Sequence, residues 1–224
     1  MADGASVSDL LKREAYFPTY IYFKDVPGGA ELNQALKQAI FTMREEDAVG
    51  LHRSNVKQAG AWHSQDDLNR RAEFAELSRE VLEATERVYQ DQAYDPDFMP
   101  AIDNMWANVS PRHAFNRTHV HPGVIWSGVY YIQAPEHSGR IYFTDPRVQA
   151  QMLRPRIDAE GRKQAHNWTE VYFEPVEGRL ILFPAWLSHE VEPNLSEAEG
   201  DAGVRISISF NLLQRRKEPQ GSGA

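Results

Sequence analysis

The sequence predicts an α+β fold in which a jelly-roll barrel carries helices against its outer face. Two features predict it. After Pro100 the chain divides into short runs rich in β-branched and aromatic residues, with Gly or Pro in most of the gaps. Strands at that density without long helices between them argue a sandwich or barrel. Before Pro100, apolar residues recur at three and four positions over two stretches, the spacing of an amphipathic helix.

In order, Phe17–Phe23 (FPTYIYF) reads as an early strand, closed by Pro27-Gly28-Gly29. From Ala30 the positions Leu32, Ala35, Leu36, Ala39, Ile40 and Met43 predict a helix to about Glu46. Residues 47–65 read as a loop. Ser64 then offers an N-cap, with Asp67 three residues on, for a helix to about Tyr89. The expected strands are 104–109, 126–132, 140–144, 170–173, 179–183, 189–191 and 204–213.

With 224 residues, the chain is expected to form one domain. Residues 1–100 supply a strand and helical support, 101–213 the jelly-roll core, and 214–224 a frayed polar tail. A net charge of −8 argues against a nucleic-acid or anionic-membrane partner. The absence of cysteine excludes disulfides, thiolate metal ligands and cysteine nucleophiles. No apolar run approaches the roughly 20 residues that span a bilayer. Residues 1–6 lack the basic and apolar regions of a secretory leader, so a cytoplasmic location is expected. A homodimer is compatible with the sequence and not required by it.

The chemistry concentrates around residues 116–132. In a strand, positions i and i+2 share a face, so His119 and His121 would look the same way. Neutral imidazoles converging from one strand suit a transition metal. His189, in the Leu180–Val191 stretch, is the third ligand expected to join them. Such a pair also arises by chance among eight histidines. His52, His63, His113, His137 and His166 are read as ordinary.

The last strand is the second informative stretch. Alternation puts Arg205, Ser207, Ser209 and Asn211 on one face and Ile206, Ile208, Phe210 and Leu212 on the other. An edge strand with its polar side to water would show the same pattern. If the polar face looks into the barrel instead, Arg205 requires an anionic partner, because an unpaired buried charge is costly. Its planar fork fits a carboxylate, and Ser207 or Ser209 adds a hydroxyl.

Several motifs occur in order: His119-x-His121, Tyr130-Tyr131-Ile132, Gly139-x-Ile141-x-Phe143, Gly178 through Pro184, Ser188-His189-Glu190-Val191-x-Pro193 and Arg205-x-Ser207. Together they resemble the iron(II)- and 2-oxoglutarate-dependent dioxygenases, especially the prolyl-hydroxylase-like branch, over residues of about 104 to 213. With Ser127 through Tyr131, Asp145-Pro146-Arg147 and Phe183 through His189, the chain is most similar to a family of bacterial and phage 2-oxoglutarate oxygenases without an assigned substrate. FPTYIY and Gly60 through Ser64 extend the likeness toward the N-terminal helices.

The resemblance implies a double-stranded β-helix, iron(II) as the metal and 2-oxoglutarate as co-substrate. It makes His119 and His189 iron ligands and gives Arg205 the distal carboxylate of 2-oxoglutarate, helped by Ser207 and Tyr131. The chain departs from the pattern at His121, where the wider superfamily places Asp or Glu. His121 is expected as the third metal ligand. Alternatively it only hydrogen-bonds, with Asp145 or water in that position. The implied activity is hydroxylation of a small-molecule or peptidyl substrate by molecular oxygen, releasing succinate and carbon dioxide. No catalytic residue beyond the metal ligands is expected.

Among weaker candidates, Asn116 caps a turn or reaches the site, and Arg147 touches substrate or pairs with Asp145. Tyr131 could equally fill the barrel, and Trp126 and Trp186 read as core. The rival reading is a cupin-like metal-binding barrel, either a 2-oxoglutarate-independent enzyme or a non-catalytic ligand-binding protein. A cupin expects a glutamate soon after His-x-His, and here Pro122-Gly123-Val124-Ile125-Trp126 follows.

Overall fold

A computed structural model describes Lys12, residues 14–54 and residues 59–218. Residues 1–6, read above for a leader, and 219–224, the end of the polar tail, lie outside the described residues. Among the described residues, ten strands form two antiparallel sheets, with helices against one of them. The larger sheet has the order β1 (Tyr22–Asp25), β8 (Arg179–Pro184), β5 (Trp126–Gln133), β10 (Arg205–Arg216), β3 (Phe98–Ser110), β2 (Trp62–His63). The smaller runs β4 (Asn116–His119), β9 (His189–Val191), β6 (Ile141–Thr144), β7 (Glu170–Phe173). This is the expected α+β jelly roll.

Period-2 alternation divides the six-stranded sheet into two apolar layers. Tyr130, Ile132, Leu180, Leu182, Ile206, Ile208, Phe210 and Leu212 pack into one core with the helices. Their neighbours Val129, Tyr131, Ile181 and Phe183 meet Ile141, Phe143 and Leu187 in a second core between the sheets. Helix α1 (Gly29–Glu46) buries Leu32, Leu36 and Ile40, and α3 (Ala75–Asp91) buries Leu77, Val81, Ala84 and Val88. Each set follows the helical repeat, so one stripe faces the sheet. Lys24 of β1 bonds the buried Glu80 of α3 at 2.6 Å, which ties the sheet edge to that helix.

Several boundaries differ from the sequence expectation. Ser64 caps no helix. Its backbone and hydroxyl bond the backbone of Ala107, extending the pairing of β2 with β3. Two 3₁₀ turns, Leu68–Arg70 and Ala72–Phe74, follow, and α3 begins only at Ala75. The loop of residues 47–65 contains a short helix, α2 (Gly50–Arg53), besides β2. The early strand starts at Tyr22, where pairing with β8 begins, and Phe17 takes a φ of 60° and is 92% exposed. Arg215 and Arg216, assigned to the tail, pair with Met99 and Phe98 at the end of β10.

Strand β10 lies between β5 and β3, and its polar face turns toward the smaller sheet, with Arg205, Ser207 and Asn211 buried and Ser209 half-buried. Its neighbour Gly128 makes room for it. A Cβ there would lie 2.4 Å from the Phe210 ring and 2.6 Å from the Ile181 carbonyl oxygen. Gly128→Val is therefore expected to destabilise the protein by about 1–3 kcal/mol or more. Urea unfolding checks this; an unchanged midpoint would contradict the packing of β5 on β10.

Candidate metal centre

One cavity between the sheets is lined by all six residues to which the sequence assigns binding roles: His119, His121, His189, Arg205, Ser207 and Tyr131. Strand β4 pairs with β9 so that His119 stands opposite His189. Strand β4 ends at His119, so His121 is not on the strand. It is placed instead by its backbone N–H, which donates to the Ala185 carbonyl at 2.9 Å. One ligand atom from each of the three imidazoles lies within 4.8 Å of the others.

Two of the rings have a defined backbone partner. His119 Nδ1 is 2.7 Å from the Arg117 carbonyl, and His189 Nδ1 is 2.9 Å from the Leu187 carbonyl. A carbonyl only accepts, so each Nδ1 carries the proton and each Nε2 is left with a bare lone pair. His121 Nε2 and His189 Nε2 stand 3.3 Å apart. Two nitrogens that each hold one ion at about 2.1 Å are about 3.0–3.4 Å apart, so this donor set fits a transition-metal ion. Asp145 does not join it. Its carboxylate pairs with Arg147 at 2.9 and 3.0 Å.

Burial sets the protonation of the site. It pushes His189 down to about 3 and His121 to about 4, with the charged forms of neighbouring histidines acting in the same direction. Both rings are neutral near pH 7 and ready to ligate. His189 also packs on Phe183, with ring centroids 4.6 Å apart. Trp106 stacks between His63 and His121, at 5.7 and 6.2 Å.

Elsewhere in the cavity, Arg205 is buried at 2% exposure. Its Nη1 donates to the Ser138 carbonyl and, at 3.2 Å, to the Glu192 carbonyl. Burial lowers its pKa, opposed by Tyr131 and Glu192. Among the described residues no carboxylate forms an ion pair with it, so a full positive charge is matched only by carbonyl dipoles. Tyr131, also buried, has its phenol pushed up to about 12 and is neutral. The cavity thus joins a set of metal donors to a buried cation without a counter-ion.

Three cavity residues were missed or undervalued in the sequence. Trp106 and Asn108 line it from β3, where Asn104, Trp106 and Asn108 alternate with the apolar Met105, Ala107 and Val109. That alternation was the available signal. Asn116 lines the cavity rather than only capping a turn. Trp126 is core, as expected, whereas Trp186 is 56% exposed and is not.

The histidine shifts give a pH prediction. In the unfolded chain each histidine titrates near 6.5. Between that value and the folded values of about 4 and about 3, the unfolded state binds more protons, so stability rises with pH. The metal-free protein should keep this contribution above about pH 6.5 and lose it as the pH falls toward 4. Urea midpoints near neutrality and near pH 5 are expected to fall with pH, and to fall less in His189→Gln.

Residues 104–211 match the model of the family described as "Putative 2OG-Fe(II) oxygenase". No curated protein matches the chain in sequence. Among solved structures, the chain is similar to a prolyl-4-hydroxylase of Pseudomonas putida, with a TM-score of 0.53 and 20% identity over 89% of this chain and 94% of that one. It is also similar to the viral collagen prolyl hydroxylase of Paramecium Bursaria Chlorella virus-1, solved as its 2-oxoglutarate complex (TM-score 0.52, 12% identity, 86% and 95% covered). A third is HygX of Streptomyces hygroscopicus, solved with nickel and 2-oxoglutarate (TM-score 0.51, 10% identity, 87% and 81% covered). At such identities these likenesses establish the fold, the double-stranded β-helix. The matched stretch, residues 104–211, holds all three histidines and Arg205.

Proposed function

We propose that the protein is a non-haem iron(II)- and 2-oxoglutarate-dependent oxygenase that hydroxylates its substrate with molecular oxygen, releasing succinate and carbon dioxide. The observation that carries this reading is the shared cavity: three converging imidazoles and a buried arginine with no carboxylate partner. Iron and 2-oxoglutarate, when bound, supply the oxidative chemistry, and the chain supplies binding, orientation and exclusion of water.

In this reading His119, His121 and His189 hold the metal. Three neutral imidazoles leave the ion's charge whole, which favours an anionic chelator beside them. Arg205 pairs with the distal carboxylate of 2-oxoglutarate, where its planar fork matches the anion in a desolvated site. Ser207 adds a hydroxyl donor, and the neutral Tyr131 phenol can donate as well. The apolar wall of Val129, Ile141 and Phe183 keeps water from the reacting centre.

The cupin-like alternative has no use for a buried cation facing the metal donors, so Arg205 weighs against it. A net charge of −8 supports the absence of a nucleic-acid partner. Among the described residues no helix is long and apolar enough to cross a membrane. Every residue given a role lies on one chain, so the reading requires no second subunit. A cytoplasmic setting suits a protein that has no cysteine.

The deciding experiment is an anaerobic titration of the iron(II) protein with 2-oxoglutarate, followed by visible absorption. A metal-to-ligand charge-transfer band is expected; iron binding without the band would favour the cupin-like reading. His119→Ala and His189→Ala should each abolish stoichiometric iron uptake, and retained iron in both would remove the site. Arg205→Ala should leave iron bound but weaken 2-oxoglutarate about tenfold to hundredfold, the ~1.5–3 kcal/mol of a charge-assisted hydrogen bond. Unchanged affinity would take Arg205 out of that role.

A further inference from the structure

Arg205 is gripped by backbone on one side only. Its Nη1 donates to the carbonyls of Ser138 and Glu192, the second at 3.2 Å. Nη1 carries two N–H groups and meets two acceptors, so that corner of the guanidinium is committed to the backbone. Among the described residues, Nε and Nη2 make no hydrogen bond. They form one edge of the planar fork, the arrangement that takes a carboxylate through two parallel bonds.

The two carbonyls belong to neighbouring segments at one end of the smaller sheet. Ser138 lies in the turn between β5 and β6, and Glu192 directly follows β9. Ser138 N–H donates to the Pro135 carbonyl at 3.1 Å, which closes the turn, and His137 adopts a φ of 60° inside it. Glu192 N–H donates to the Arg140 carbonyl at 2.9 Å, and Leu195 N–H to the His137 carbonyl at 2.8 Å. The Glu192 carboxylate accepts from Arg140 N–H at 3.1 Å. These bonds tie the turn to residues 192–195 and fix the two carbonyls relative to each other.

Gly139 makes room for the guanidinium. A Cβ there would lie 2.5 Å from the Glu192 carbonyl oxygen and 2.8 Å from Arg205 Nη1, in the space where those two atoms meet. Its φ of 93° is also one that residues with a side chain rarely adopt. The family resemblance includes the motif Gly139-x-Ile141-x-Phe143 but gives Gly139 no role.

We propose that the Pro135–Gly139 turn is the seat of Arg205 and that Gly139 is its positioning residue. With Nη1 held by two carbonyls, the Nε–Nη2 edge is the one presented to the distal carboxylate of 2-oxoglutarate. This rests on the role of Arg205 in the proposed function, and adds to it what orients the guanidinium and which edge receives the anion.

The zinc(II)-loaded wild type gives the first readout, by ¹⁵N NMR of the guanidinium, with its signals identified by their loss in Arg205→Lys. A held Nη1 stops the group from rotating, so Nη1 and Nη2 should give separate resonances; one averaged resonance would overturn the seat. On addition of 2-oxoglutarate, Nε and one Nη should shift while the other Nη stays. Equal movement of both Nη signals would overturn the edge assignment. Gly139→Ala should bind cobalt(II) as the wild type does but weaken 2-oxoglutarate about tenfold or more, the effect of a lost charge-assisted hydrogen bond. In an Arg205→Ala background the same change should cost no further affinity, whereas a turn that only supports the fold would add its own loss. Unchanged 2-oxoglutarate affinity, a parallel loss of cobalt(II), or additive losses would each overturn the proposal. If Gly139→Ala does not fold, the wild-type resonances decide. If the wild type binds no 2-oxoglutarate, the proposed function falls, while the separate resonances still decide whether the turn holds Arg205.

Discussion

The structure depends on the register of one central strand. Along β10, the apolar residues from Ile206 to Leu212 face the helices while Arg205, Ser207 and Ser209 line the cavity, with Asn211 on the same side of the strand. A slip of one residue would turn every side chain to the opposite face, placing a guanidinium among Leu36, Ile40 and Val81. Neither apolar layer would survive that exchange. Strands β3 and β5 flank β10, so its alternation propagates to both, and the helical core and the functional cavity are two sides of one constraint.

The inward row shows how polar groups are accommodated in a barrel. Ser209 accepts from Asn108, and Asn211 is bonded to Ser127 and Asn104, so those dipoles are matched within the sheet. Arg205 is different. Two carbonyls cannot neutralise a guanidinium, and the remaining charge faces the cavity that contains the histidines. Desolvation disfavours the charged form of both kinds of group: it holds His121 and His189 neutral, whereas Arg205, whose ordinary pKa lies far above neutrality, keeps its charge. The same space therefore contains a fixed cation and uncharged imidazole donors, an arrangement suited to an anion that chelates a metal.

Local sequence signals misled where tertiary hydrogen bonds took the same residues. Ser64 and Asp67 form a reasonable helix-start pattern, yet the Ser64 hydroxyl and backbone serve β3, and Asp67 pairs with Arg71 in a turn. The aromatic run at 17–23 has strand composition, but pairing with β8 begins only at Tyr22. Trp186 follows a buried apolar strand and still points outward, because the turn after Pro184 reverses the chain there.

By itself the sequence determined the fold class and the chemistry available. The period-2 runs after Pro100 and the helical repeats before it required sheets with helices on one side, and His119, His121, His189 and Arg205 could be identified by residue type and motif order. Those patterns are local, and alternation along one strand states which residues share a face. It does not state which face is inside. Only the tertiary structure laid the smaller sheet over that face of β10, and so decided that its polar row lines a cavity rather than meeting water. The same holds for His119 and His189, distant in sequence and set opposite each other only by the pairing of β4 with β9.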